Sequence, residues 1–251
     1  MLGVTMPPER TRAAGVFARL RADILSGALP PGTKLAFSSL SDRYAASVGV
    51  TREALSRLGE LGLVVSEPQV GYRVPFISAE DLLDLTVARC EVECAALEQS
   101  VARAGLEWET GVVASHYALE RTPVWKDETA RVVSPEWSAQ HTAFHVALIS
   151  GCPSRRLIDI AAALRDANQI YWSWSSGVTL DRDRRDFAAE HVAIKDAALA
   201  RDAALASGLL RAHLRKTADI LLDHLKSTDT QADEAKPVAG PDERGVAKSG
   251  G

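Results

Sequence analysis

The sequence predicts a mainly α-helical protein in two parts: an amino-terminal helix-turn-helix carrying a β-hairpin, and a carboxy-terminal antiparallel all-α bundle. Three observations predict it. Residues 38–65 hold two short helical segments, with Leu40, Tyr44, Leu55 and Leu58 making one apolar face and the small residues Ala45, Ala46 and Gly49 at the turn between them. A hairpin pattern through Val64, Val65, Glu67, Pro68 and Val70–Val74 follows at once. Beyond Ser78 nearly every segment has helical periodicity.

The first helix spans residues 10–27, with Val16, Phe17, Leu20, Ile24 and Leu25 as its buried stripe and Gly27 as its stop. Pro30, Pro31 and Gly32 then force a turn, and Leu35 re-enters the core. The second helix of the helix-turn-helix presents Ser47, Thr51, Arg52 and Ser56. Hydroxyls of this kind reach phosphates or base edges in a DNA major groove, and an Arg bonds bidentately to guanine. Arg43 and Arg57 are placed for phosphate or solvent, and Gly71 is a turn residue of the hairpin.

Pro75–Ser78 is the boundary, with Ser78 as N-cap of the next helix. Helices are expected over 78–104, 107–121, 135–150, 154–175, 180–200 and 202–226, with 122–134 as a loop bracketed by Pro123 and Pro135. The division is thus a flexible start (1–9), a DNA-reading head (10–76), a helical domain (77–226) and a tail (227–251) too poor in large apolar residues to fold.

Composition excludes some classes. No long apolar run or signal-like start exists, so no membrane partner is expected and the cytoplasm is the expected location. Three cysteines, Cys90, Cys94 and Cys152, are odd in number and in no zinc-finger spacing, which fits buried reduced thiols. Residues 1–75 carry nine Arg and Lys against six Asp and Glu, while the whole chain has a net charge of −4. A basic front on an acidic body suits a small DNA-reading module joined to something with another task.

Four histidines suggest that task. His141 and His145 are i, i+4 and share a helix face. His191 and His213 each lie about eleven residues from the break at Arg201–Asp202, so a helical hairpin there brings them level at the ~1.5 Å rise per residue. Such a convergence in a bundle core is a place for a metal, and nitrogen-only ligation suits Zn²⁺ first, with Ni²⁺ or Co²⁺ as alternatives. His116 and His224 lack such partners and are read as surface residues. Arg89 and Glu93 are also i, i+4, an ion pair on a helix surface by spacing alone. Tyr171, Trp172 and Trp174 read as core or dimer packing, and Asp159, Asp166 and Glu190 as helix-face residues.

The stretches ILSGALPPGTKL (24–35), LSDRY (40–44), TREALSRLGELGLV (51–64) and GYRV (71–74) resemble the winged helix-turn-helix of the GntR family of bacterial transcription factors. Residues 78–104, HTAFHVALISGCPS (141–154) and 190–214 are similar to the FCD ligand-binding domain of its FadR-like branch. The resemblance implies DNA contacts from Ser38, Arg43, Ser47, Val48, Thr51, Arg52 and Gly71. Val48 stands where the family commonly has a DNA-touching Arg, and each lost phosphate contact flattens the salt dependence by about one unit of slope. It further implies a divalent metal held by an Asp and three His, with a small carboxylate effector completing the coordination. His145, His191 and His213 match the three histidines, His141 replaces the Asp, and Cys152 replaces a common Asn. Arg89 matches a position that points into the effector pocket, which makes Arg89 and Glu93 candidate effector-binding residues.

These readings converge on a transcriptional regulator that is not an enzyme: a homodimeric repressor on a double-stranded operator, relieved by a small organic acid at a His-lined metal site. The rivals are a metal-dependent hydrolase or lyase using the same histidines, and a sensor of the metal alone. A metal site that has lost its ion, with His141 bonding the ligand directly, is a further variant.

Overall fold

The computed structural model describes residues 12–68, 71–129, 132–175 and 185–234, and the side chains of Val132 and residues 228–234 are not described. The head contains α1 (Arg12–Leu25), β1 (Lys34–Leu35), α2 (Phe37–Tyr44), α3 (Val48–Glu60), β2 (Val65–Glu67) and β3 (Gly71–Arg73). Val16, Leu20 and Ile24 of α1 meet Leu40, Tyr44, Leu55 and Leu58 in one core. The tight turn between α2 and α3 is made by Ala45 in the left-handed region, φ 51°, a conformation costing a non-glycine residue roughly 1–2 kcal/mol. Ser47 then caps α3, accepting a hydrogen bond from Val50 N at 3.4 Å.

The wing is richer than the sequence reading. β1 pairs antiparallel with β3, which also pairs with β2, giving a three-stranded sheet of order β1-β3-β2. Sequence pattern asks of the segment after the two prolines only that it return Leu35 to the core. Its Lys34–Leu35 backbone in addition satisfies the free edge of β3. The wing tip at residues 69–70 lies outside the described residues.

The helical domain comprises α4 (Ala79–Arg103), α5 (Leu106–Arg121), α6 (Pro135–Ile149), α7 (Arg155–Trp174), α8 (Phe187–Leu199) and α9 (Ala203–Glu234). Side chains cap the helix starts: Ser78, Ser134, Ser154 and Asp186 accept from the backbone N–H three residues on, each such cap stabilising its helix by ~1 kcal/mol. Helix α4 packs on α9, α7 and α6, and α5 packs on α6 and α8. The core is formed by Leu97, Trp108, Phe144, Leu148, Ile194 and Leu210 with their neighbours.

Three boundaries differ from expectation. The helix expected from residue 180 begins at Phe187, because Asp186 caps it; residues 176–184 lie outside the described residues. The expected loop at 122–134 contains an antiparallel ribbon, β4 (Trp125–Asp127) with β5 (Val132–Val133). Helix α9 runs on to Glu234, past the expected end at Lys226, and the remainder of the tail, 235–251, is outside the described residues.

Head and bundle touch through α1 and α7. Ile170 of α7 belongs to the head's core. Arg21 Nε donates to Asp166 Oδ2 at 2.9 Å, and Arg21 Nη2 pairs with Asp166 Oδ1. Asp166 is therefore an interdomain ligand and not a free helix-face residue.

Candidate functional site

Helix α6 carries His141 and His145, α8 carries His191 and α9 carries His213. The α8–α9 reversal is made where the sequence placed it. Arg201 turns the chain at φ 62°, its Nη1 donates to Val101 O at 2.7 Å, and Asp202 accepts from Leu205 N at 2.9 Å. That pinned turn brings the His191 and His213 ring centroids to 4.8 Å. His141 lies 4.7 Å from His145 and 5.0 Å from His191. One ligand nitrogen from each of the four lies within 4.8 Å of the others.

The donor chemistry fits a late divalent ion. Both ring nitrogens of His145 and Nε2 of His191 are buried and find no hydrogen-bond partner among the described residues. A buried unsatisfied imidazole nitrogen costs ~1–3 kcal/mol, and a shared cation would satisfy the lone-pair nitrogen of each ring, leaving only the His145 N–H without an acceptor. Burial pushes all four histidines below the ordinary range, His141 to about 3; neighbouring imidazoles and guanidiniums add to it at His141, His145 and His191, and at His213 the guanidiniums of Arg185 and Arg89 add to it against the opposing bond to Glu190. Neutral imidazole is the ligating form. His141 is only partly buried, yet it stacks on Trp137 at 4.9 Å and faces Trp172 at 5.5 Å.

His213 has an oriented partner. Its Nδ1 lies 2.9 Å from Glu190 Oε2. Arg185 Nη2 also approaches Nδ1 at 2.9 Å, but Arg185 donates to Glu190, to the His213 carbonyl at 3.1 Å and to Thr217 at 2.7 Å. The Nδ1 proton is thus assigned to Glu190, which leaves Nε2 as the free lone pair. Burial pushes Glu190 up, but hydrogen bonds from His213, Arg185 and Lys216 outweigh it and hold the carboxyl well below the usual range. Glu190 is therefore not the helix-face residue its position suggested.

Arg89 and Glu93 are not a surface pair. Both are buried, with Arg89 Nε donating to Glu93 Oε1 at 2.8 Å. His116 is likewise buried, with its ring 5.3 Å from Phe144, and His224 lies 4.8 Å from Trp174. The aromatic triplet divides its tasks. Trp172 faces His141, while Tyr171 donates to Asp81 Oδ2 at 2.5 Å.

On the head, α3 exposes Val48, Arg52 and Ser56, with exposed Ser47 at its cap and exposed Ser38 on α2. The Arg52 guanidinium lies 5.1 Å over Phe37. Arg43 pairs with Asp23 at 2.7 Å, and Gly71 opens β3 at φ 106°. Thr51 corrects the reading. It is fully buried, its hydroxyl donating to Ser47 O at 3.1 Å and lying 3.3 Å from Ser41 Oγ. One residue before Arg52, it falls on the inward side of the helix and joins α3 to α2 instead of facing outward.

Sequence reasoning missed Arg165, Arg185, Trp137 and Trp172 around the histidines. Trp137 had a signal, since it is i−4 from His141 and shares its face. The others depend on pairings across 28 or more positions, such as Arg185 with His213.

Residues 12–74 match the profile of the bacterial regulatory proteins of the gntR family, and residues 84–216 match the FCD domain. The chain is 37% identical over 200 residues to the HTH-type transcriptional repressor GlaR of Escherichia coli K12, covering 78% of this chain and 89% of GlaR. It is 35% identical over 212 residues to the HTH-type transcriptional regulator BphR of Paraburkholderia xenovorans LB400, covering 84% and 86% of the two chains. Among solved structures, a GntR regulator from Rhodococcus sp. RHA1 superposes with a TM-score of 0.67 at 24% identity, covering 85% of this chain and 98% of that one. E. coli McbR/YncC gives 0.64 at 17% identity, covering 88% and 99%. These two likenesses speak for the fold alone.

Proposed function

We propose, since this chain belongs to the GntR family of bacterial transcriptional regulators and to its FadR-like, FCD-bearing branch, that it is a repressor controlled by a small carboxylate at a divalent metal. The plain part is a DNA-binding regulator with an effector-binding domain, and not an enzyme. The finer part is that His141, His145, His191 and His213 hold the ion, Zn²⁺ before Ni²⁺ or Co²⁺. The observation that carries it is the convergence of four imidazoles from three helices, among them buried nitrogens of His145 and His191 that have no partner among the described residues. A bound ion would supply positive charge and, by expanding beyond its four imidazoles, would accept a carboxylate oxygen as a further ligand. His141 in place of a carboxylate leaves that site more positive, which favours an anion and disfavours oxygen-seeking Mg²⁺.

The functional unit we propose is a cytoplasmic homodimer, since two α3 helices read the two halves of a palindromic operator. No described helix is long and apolar enough to cross a membrane. Ser38, Ser47, Val48, Arg52 and Gly71 form the DNA-facing set, with Arg43 beside the backbone phosphates. A gel-shift titration on the DNA upstream of the protein's own gene tests the assignment: a retarded complex that a carboxylate releases supports it, and no complex with or without metal refutes it.

Val48 offers a second check. Val48 is 49% exposed at the first turn of α3. Val48→Arg is expected to raise operator affinity and to steepen the dependence of log K on log salt by about one unit. Fluorescence anisotropy at several salt concentrations reads both; unchanged slope and affinity would remove residue 48 from the interface.

Helix α7 is the proposed route from effector to DNA, since its Asp166 grips Arg21 of the head and its Trp172 faces His141. Asp166→Asn is expected to leave effector affinity within about twofold while losing much of the effector's influence on operator binding, a coupling typically worth ~1–3 kcal/mol. Parallel titrations of effector alone and of operator with effector separate the two; unchanged coupling places the route elsewhere.

A further inference from the structure

We infer that Arg165 is a second anchor of the effector pocket, and that the effector is therefore a dicarboxylate, with one carboxylate at the histidine cluster and the other on Arg165 beside Arg89. The inference rests on the effector-site reading above and adds to it a residue and a ligand class.

Arg165 sits on α7 with its side chain only 10% exposed. Its Nη1 has no hydrogen-bond partner among the described residues. Its Nε donates to Ala161 O at 3.4 Å, at the weak end of the range. Its ion-pair partner, Glu93 Oε2, stands 4.0 Å away, and the other oxygen of Glu93 is already taken by Arg89 at 2.8 Å. Two buried guanidiniums thus share one carboxylate. A guanidinium whose task was to tie α7 to α4 would bond Glu93 through both prongs of its fork; this one leaves a prong free in the interior. An unpaired buried charge is among the costliest features a core can hold, so its retention asks for an anion.

The location matches. Arg165 lies two helical turns before Trp172 on the same face of α7, and Trp172 faces His141 at 5.5 Å, while Arg89 lies on α4, whose Glu93 is 4.0 Å from Arg165. Burial, only partly countered by Glu93, lowers the Arg165 pKa, a sign that its cation is under-compensated. A divalent ion on four neutral imidazoles contributes two positive charges, and the Arg pair with Glu93 contributes one more. A monocarboxylate leaves two of these three uncompensated and reaches only one locus. A dicarboxylate leaves one and bridges both.

The test is calorimetric titration of the full-length, Zn²⁺-loaded protein with malonate, succinate, glutarate and adipate, and with butyrate, valerate and hexanoate. At least one dicarboxylate is expected to bind about ten- to a hundredfold more tightly than the monocarboxylate of equal chain length, the range for a hydrogen-bonded charge pair. Arg165→Gln is expected to erase that preference while leaving monocarboxylate affinity within about threefold. Arg165→Lys, which keeps the charge and loses the fork, is expected to fall between. Without acid, Arg165→Gln is expected to melt no lower than wild type, whereas a purely structural arginine would lower the melt on removal. Equal binding of both classes, or an equal loss for both in Arg165→Gln, overturns the second anchor and leaves the single-carboxylate reading standing. Binding of neither class, or binding indifferent to EDTA, overturns the effector-site reading and this inference with it.

Discussion

Protein purified without chelator is expected to carry close to one divalent ion per chain, and EDTA is expected to lower its melting temperature by roughly 10 °C. A ligand at a thousandfold excess over its Kd stabilises the folded state by about 4 kcal/mol, and a domain of this size shifts by about 2–4 °C per kcal/mol. His145→Ala is the sharpest variant, because neither of its buried nitrogens has another partner to lose. Apo wild type and apo His145→Ala should melt within a few degrees of each other, since the variant trades an unsatisfied imidazole for a cavity worth a comparable ~2 kcal/mol. Adding Zn²⁺ should then separate them widely. The same variant should keep operator binding and lose release by the effector, because the head's core is built without His145. A wild-type protein that holds no ion and melts identically with and without EDTA would show that the cluster is a packing arrangement. Restoration of the apo protein by Zn²⁺ or Ni²⁺ but not by Mg²⁺ would separate the nitrogen-ligated reading from an oxygen-ligated one.

The four histidines are legible in the amino-acid sequence because each half of the cluster is written locally. His141 and His145 are one helical turn apart, and His191 and His213 are equidistant from a break that Arg201 and Asp202 do make. The shell around them is not legible in the same way. Glu190 meets His213 across 23 positions, Arg185 meets it across 28, and Arg165 faces Glu93 from another helix. Nothing in a helical period distinguishes such residues from solvent-facing charges until the helices are packed. Thr51 fails for the opposite reason. Its spacing from Ser47 places it on the reading face, but its hydroxyl competes for the Ser47 carbonyl and for Ser41, and the polar contact turns it inward. The β1 strand escapes notice because two residues carry no periodicity; only the unpaired edge of β3 gives Lys34 and Leu35 a reason to be extended. Ser78 and its helix are readable to within a residue, since an N-cap is a local match between one hydroxyl and one N–H.

Stability is expected to fall steeply as the pH drops below about 6.5, even with the metal removed. Each cluster histidine has a folded pKa below its unfolded value, because burial disfavours the imidazolium. The unfolded chain therefore binds protons that the folded chain refuses, so stability is full above the unfolded pKa and is lost on acidification. Each such group contributes a slope of up to about 1.4 kcal/mol per pH unit, so His141, His145 and His191, the three held furthest down, together give up to roughly 4 kcal/mol per unit between pH 6.5 and 5.5, with His213 adding to the same direction. For His141 the loss continues down to about pH 3. Glu190 adds a later component of the same sign: its folded pKa is depressed, so its contribution is present above the ordinary carboxylate range and disappears only as acid overcomes its bonds to His213, Arg185 and Lys216. Urea unfolding of the EDTA-treated protein at pH 8, 7, 6 and 5.5 measures this, with similar stability at the first two values and a sharp fall thereafter. Replacing His145 and His191 together by Gln should flatten the slope by about two protons, because glutamine keeps polar atoms in the cavity without a titrating group. A wild-type curve already flat through pH 6 would mean that the rings are charged or hydrated in the folded protein, and a charged cluster has no free lone pairs to offer a cation. The acid limb and the metal site therefore stand on the same four uncharged imidazoles, and the loaded protein should surrender its ion across the same pH interval as protons displace it.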